Sequence, residues 1–233
     1  LNHAVLIINP SIDGITSWNK AMESTLEKAR KDPESMKGKI LAVARRVFGE
    51  YGFHGTTMRM LAKEVGIDIS TLHYHWGEKK DLYEAVIIDI NNDLREKLME
   101  VEEIIHGRPL KDRVAIGIDM MMDYLFEHPE ISNMVMFRYF AKTRHDVLMD
   151  FRVPEFTIEI VRSMGLKEDK KNRPFSMASI LTVMNSMHSF ISGEESFRPM
   201  LKLKKKDYME LVKKTVMYIF LSLIHISEPT RPY

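Results

Sequence analysis

The chain has no cysteine in its 233 residues. This excludes disulfides and thiolate metal centres, and it fits a reducing, cytoplasmic compartment. It lacks any run approaching the ~18 to 20 continuous apolar residues that a membrane span needs. The apolar stretch from Val5 to Ile8 is too short to be a secretory signal and has no charged flank. Net charge is nearly absent, at +1. There is no Gly-rich phosphate cradle, no nucleophile–base arrangement and no metal triad. No catalytic residue, cofactor or metal ligand is therefore assigned, and an enzyme is not expected. Glu194 and Glu195 beside His188 form the nearest acid–base grouping, which reads more simply as a solvated helix end.

With 45% hydrophobic and 29% charged residues, the chain can bury one large core or two small ones. Its charge imbalance is local. From Lys37 to Lys80 there are eight basic and four acidic side chains, a local excess of four, and the remainder is slightly acidic. A basic head on a neutral body suits a module that meets phosphate at one end.

Both ends stand apart from this pattern. Met22 and Met36 are plausible starts, so residues 1–36 read as an N-terminal extension, with upstream translation and genuine chain as open alternatives. Residues 22–36 read as a loose or helical arm with a solvated face. Residues 221–233 break the preceding helical pattern. From Leu221 to Arg231 they resemble an in-frame translation of a sequencing adaptor, so the last helix is expected to stop near Phe220.

The most specific signal lies in residues 37–82. Ile40, Leu41, Ala44, Val47, Phe48 and Tyr51 recur at helical spacing and predict a first helix over about 37–51, stopped by Gly52. Thr57 is placed to cap a second helix, whose buried face is Met58, Leu61, Ala62 and Val65. Gly66 supplies a turn, Ile67 plugs it, and Asp68 caps a short third helix that carries Leu72 inward and ends at Trp76. His73 and His75 lie two positions apart, roughly 200° around a helix, so they do not chelate a metal together.

These motifs resemble the N-terminal domain of the tetracycline-repressor (TetR) family of bacterial regulators. The resemblance covers residues 37–85 and rests on Thr57-Met58-Arg59, Leu61-Ala62-Lys63-Glu64, Gly66-Ile67-Asp68, Leu72-His73-Tyr74-His75-Trp76 and Lys79. Asp68 stands where the family commonly has Ser, Ile69-Ser70 where Lys-Gly is frequent, His73 where Tyr is usual, and Met60 where an acid often completes a capping box. The resemblance implies that Thr57, Tyr74, His75 and Lys79 hold phosphates, with helix N-termini adding backbone donors. It implies that Arg59, Ser70, Thr71 and His73 read bases and that Ile69 touches a thymine methyl.

Beyond the head, residues 83–220 predict an all-α body. Helices are expected over Asp81 to His106, Leu110 to His128, Glu130 to Thr143, His145 to Met164 with a bend at Pro154, Pro174 to about Ile191, and Lys205 to Phe220. Methionines and aromatics recur there, and the resemblance implies a small-molecule cavity. Met121, Tyr124, Met136, Phe137, Phe140, Met184, Met187 and His188 are its candidate lining. It also implies a homodimer through the last two helices, with Ser176, Ala178, Ser179, Ser186 and Ser189 on one and Tyr208, Leu211, Val212, Thr215, Val216 and Ile219 on the other. The expected function is a ligand-responsive repressor that binds a palindromic double-stranded DNA operator and is released by a lipophilic inducer. The alternative is a DNA-binding or nucleoid-associated protein of the same fold without an inducer.

Overall fold

A computed structural model describes residues 25–140, 153–166 and 169–227, with side chains described except at 139–140, 153–155 and 224–227. Among the described residues every regular element is helical. A helix over residues 25–31 (α1) is followed by α2 (Met36–Gly55), α3 (Met58–Val65), α4 (Ile69–Trp76) and α5 (Lys79–Ile105). The body continues with α6 (Leu110–Glu127), α7 (Pro129–Phe140), α8 (Val153–Ser163), α9 (Arg173–Ser192), α10 (Glu194–Met200) and α11 (Lys205–Ser227).

The head forms where α2, α3 and α4 pack around Ile40, Ala44, Phe48, Leu61 and Leu72, all buried. Trp76 closes the base of this unit, and its indole N–H donates to the Lys37 carbonyl at 3.3 Å. Gly52 interrupts α2 with φ 67°, ψ 177°, as expected of its stop position, and a last helical turn follows it. The buried Thr56 hydroxyl then donates to the freed Gly52 carbonyl at 2.8 Å.

α5 runs for 27 residues from head to body, roughly 40 Å of helix. From Leu82 to Ile87 each of its side chains is buried, because other helices surround it. Two arginines lock neighbouring helices onto it. Arg30 of α1 binds Asp89 at 2.6 Å, Asp93 at 2.7 Å and Glu96 at 2.8 Å. Arg45 of α2 binds Asp89 at 2.7 Å, Asp93, and Glu130 of α7 at 3.3 Å. The arm expected to be a solvated face is thus packed down, with Leu26 and Ala29 buried beside Arg30.

Several boundaries differ from expectation. α7 is described to Phe140, and the expected continuation to Thr143 and the start at His145 lie outside the described residues. The seven-residue α10 was not foreseen; Arg198 and Glu194 pair across one of its turns at 3.2 Å. α11 passes the expected stop at Phe220 and continues to Ser227, with Leu221 and Leu223 resting against the core.

The body core is closed by α6, α7, α9 and α11. Tyr208, fully buried, donates its hydroxyl to the Phe190 carbonyl at 2.7 Å. Together with Val212 and Val216 it faces the protomer's own core, and so do Ser176 and Ser179. These five were expected on a dimer surface. The outward faces carry Ala178 and Ser189 on α9, and Leu211 and Tyr218 on α11.

The clamp on α5 has a measurable consequence. The Asp89 side chain is 4% exposed, and removing it leaves Asp93 as the one carboxylate that the two guanidinium groups share. Asp89→Ala is expected to lower unfolding free energy by about 3 kcal/mol, measured by urea denaturation. An unchanged midpoint would show that the clamp contributes nothing to holding α1 and α2.

Candidate nucleic-acid interface

Two short helices that follow one another within three residues need a sharp change of chain direction, and Gly66 makes it. Its φ of 81° and ψ of 33° lie in the left-handed region that side chains resist. Its N–H and that of Ile67 both donate to the Ala62 carbonyl at 3.0 Å, closing the end of α3. At the start of α3 the Thr57 hydroxyl accepts from the Met60 N–H at 3.2 Å, so the cap survives without the family's acidic partner.

α4 begins on Asp68. Its carboxylate accepts from the Thr71 N–H at 2.8 Å, from the Thr71 hydroxyl at 2.9 Å and from the Ser70 hydroxyl. These hydrogen bonds, that from Ser70 foremost, hold the Asp68 carboxyl down at about 2. At the α4 N-terminus the Thr71 N–H is thus already held by the chain's own anion. Leu72 and Trp76 point inward, which turns Ile69, Ser70 and Tyr74 out into solvent; Tyr74 is 85% exposed. Arg59 and Thr57 on the neighbouring α3 unit are also exposed.

Three expected contacts are turned partly inward. Lys79 sends its ammonium to the carbonyls of Phe53 and Thr56, both at 3.1 Å, over the Phe53 ring at 4.3 Å. It closes the C-terminal end of α2, where unpaired carbonyls gather and a cation is favoured. His73 Nδ1 lies 2.9 Å from the Gly77 carbonyl and caps the end of α4. His75 is half-buried against the Tyr74 ring, its Nδ1 without a hydrogen-bond partner among the described residues. No group of three potential metal ligands occurs among the described residues.

Several of the head's basic side chains are engaged in ion pairs within the chain, most of them at its surface. Arg45 belongs to the α5 clamp, Arg46 pairs with Glu64 at 2.6 Å, Lys39 approaches Glu34 at 3.5 Å and Lys80 approaches Glu84 at 3.9 Å. Among the described residues Arg59 and Lys63, both on α3, are exposed and have no ion pair. Sequence counting gave the sign of the head correctly but not which cations face outward.

The expected ligand-pocket residues distribute over α6, α7 and α9, which touch one another. Met121, Tyr124, Met136 and Met184 are half-buried against the core, Met187 and His188 are buried, and Phe137 is 43% exposed. The side chain of Phe140 lies outside the described residues. His188 accepts or donates through Nδ1 to the Ser132 hydroxyl at 3.0 Å, and Glu194 binds Arg198, so the acid–base grouping noted in the sequence is not assembled. A groove of about 970 Å³ opens elsewhere, between α2, α5 and the α6–α7 junction. Its walls include Arg45, Arg46, Asp93, Lys97 and Glu130, with Tyr124 the one expected pocket residue among them. Charged side chains line much of that groove, together with apolar surface.

Residues 40–86 match the model of the bacterial regulatory proteins of the tetR family. The HTH-type transcriptional dual regulator CecR of Shigella flexneri is 36% identical over 86 residues, 36% of this chain and 38% of that protein. The biofilm operon icaADBC HTH-type negative transcriptional regulator IcaR of Staphylococcus aureus is 45% identical over 52 residues, 22% of this chain and 28% of that protein. The chain thus spans well under half the length of these curated relatives. Among solved structures, a tetR-family transcriptional regulator from Streptomyces coelicolor superposes with a TM-score of 0.57 at 16% identity, covering 86% of this chain and 82% of the other. The transcriptional regulator FadR from Bacillus subtilis, in complex with stearoyl-CoA, gives a TM-score of 0.53 at 17% identity, covering 80% and 98%. At such identities the likeness establishes the shared fold, an N-terminal helix-turn-helix unit followed by a helical body.

Two side chains in this region separate structural from binding roles. Lys79→Met is expected to lower stability by about 1–2 kcal/mol through the exposed α2 carbonyls, read from thermal or urea unfolding; an unchanged stability would return Lys79 to a purely phosphate-facing role. Burial lowers His188 from 6.5 to about 4, so it is neutral in the folded chain. The unfolded chain takes up its proton first, near pH 6.5. Stability from this group is therefore complete above pH 6.5 and is lost as pH falls toward 4, by about 3 kcal/mol in all. His188→Gln should flatten the pH dependence of unfolding in that window; an identical slope in variant and wild type would contradict the assignment.

Proposed function

We propose that this chain, a member of the tetR family of bacterial regulatory proteins through residues 40–86, is a transcription regulator that grips double-stranded DNA with α4. The observation that carries this reading is the outward face of the helix-turn-helix unit. Arg59, Ile69, Ser70 and Tyr74 stand exposed together, while Leu61, Leu72 and Trp76 anchor the same two helices from behind. A groove-entering helix uses its N-terminal residues on base edges. Arg59 can address guanine O6 and N7 as a fork, and Tyr74 can reach phosphate.

A homodimer sets two α4 helices about 34–36 Å apart, in successive major grooves. The outward faces of α9 and α11, with Ala178, Leu211 and Tyr218, are the surfaces proposed to pair. A lipophilic inducer is proposed among the half-buried methionines of α6, α7 and α9; the stearoyl-CoA held by the Bacillus subtilis FadR neighbour supports that ligand class. The route to the head is short. Glu130 of α7 holds Arg45 of α2, and Phe137 of α7 lies over Gly52 where α2 kinks. A ligand that favours one α7 position therefore shifts the population of head orientations, by an amount set by its differential affinity.

Binding of the full chain to duplexes selected from random sequence tests this reading. The expected product is a two-fold symmetric motif. Arg59→Ala should weaken binding to that motif by roughly ten-fold or more, from the 1–3 kcal/mol of a bidentate base contact, and should weaken binding to unrelated duplex far less. A chain that retains DNA with no sequence preference at physiological salt would contradict a specific regulator and favour a nucleoid-type protein of the same fold.

A further inference from the structure

Asp68 does more than start α4. An ionised carboxylate accepts hydrogen bonds and cannot donate them. The Ser70 and Thr71 hydroxyls that meet it must therefore each give it their single proton. Both hydroxyls lie in the first turn of α4, the part of such a helix that approaches base edges, and Ser70 is exposed there beside Ile69. A free serine hydroxyl rotates and can donate or accept, so it tolerates most bases. A hydroxyl whose proton is already held has only lone pairs to offer.

We propose that Asp68 is a positioning residue that fixes the hydrogen-bond polarity of this surface, so that Ser70 and Thr71 select amino-bearing cytosine or adenine over keto-bearing guanine or thymine on the strand they face. The inference rests on the reading of α4 as the helix that enters the groove. In the major groove every base pair carries one amino donor, the N4 group of cytosine or the N6 group of adenine, and the remaining polar groups are acceptors. An acceptor-only side chain therefore cannot tell G·C from A·T. It reports which strand carries the amino group. Guanine O6 and N7 or thymine O4 placed opposite it set lone pair against lone pair. Because the Asp68 carboxyl is held down at about 2, the polarity does not change across physiological pH.

Selection of bound fragments from random duplex DNA by the full chain, by Asp68→Ser and by Ser70→Ala tests this. Serine at position 68 keeps a cap for the Thr71 N–H while removing the second acceptor oxygen, so the neighbouring hydroxyls regain freedom to donate. The wild type is expected to show a motif position where cytosine plus adenine exceed guanine plus thymine by roughly five- to ten-fold, the weight of one hydrogen bond. Asp68→Ser and Ser70→Ala should each bring that ratio to within about two-fold while leaving the other positions of the motif unchanged. A purely structural cap would lower the melting temperature and affinity for all sequences alike without moving the base ratio. Guanine or thymine at the Ser70-sensitive position, or a ratio unmoved in Asp68→Ser, overturns the proposal. If Asp68→Ser does not fold, the wild type and the surface variant Ser70→Ala decide it by the same ratio. DNA retained by the wild type with no motif at all overturns instead the reading of α4 as a specific recognition helix, and this inference with it.

Discussion

Two arginines share two aspartates on one helix, and the position of the whole head follows from that arrangement. Arg30 and Arg45 come from α1 and α2, separated from Asp89 by 59 and 44 residues, and meet on the same side of α5. Buried ion pairs add little net stability over a well-packed apolar alternative, but a guanidinium facing the wrong partner is costly. The clamp therefore selects one angle of α2 on α5. Because α2 packs against both α3 and α4, that angle is also the angle at which α4 is presented. Glu130 extends the same network to α7, so the body is connected to the head through charged groups with few alternative geometries.

The same arrangement is compatible with a head proposed to meet DNA in a chain of net charge +1. Its cations have divided duties. Arg45 orients α2, Lys79 closes the carbonyl end of α2, and Arg46 ties α2 to α3 through Glu64. Arg59 and Lys63 on α3 are exposed and have no ion pair among the described residues.

The helix-turn-helix unit was legible in the sequence because its signals are local. Thr57, Gly66 and Asp68 mark ends by chemistry that acts within three residues, and Leu61, Ala62, Leu72 and Trp76 follow helical periodicity. What escaped sequence reasoning depends on distant partners. Residues 25–31 look like a solvated arm until Asp89, Asp93 and Glu96 are seen opposite Arg30. The carbonyls of Phe53 and Thr56 that receive the Lys79 ammonium at 3.1 Å lie 26 and 23 residues away in the chain. Tyr208, Val212 and Val216 alternate with exposed positions at helical spacing, and sequence alone could not say which side of α11 meets its own core.

The central claim is that α4 enters the major groove in a fixed orientation, once per protomer. Hydroxyl-radical and methylation-interference footprints on a selected duplex test it most directly. Two protected patches are expected on one face of the duplex, about 10 base pairs apart or a multiple of that, with guanine N7 methylation inside each patch blocking binding. Continuous protection without periodicity, insensitive to methylation in the major groove, would contradict it.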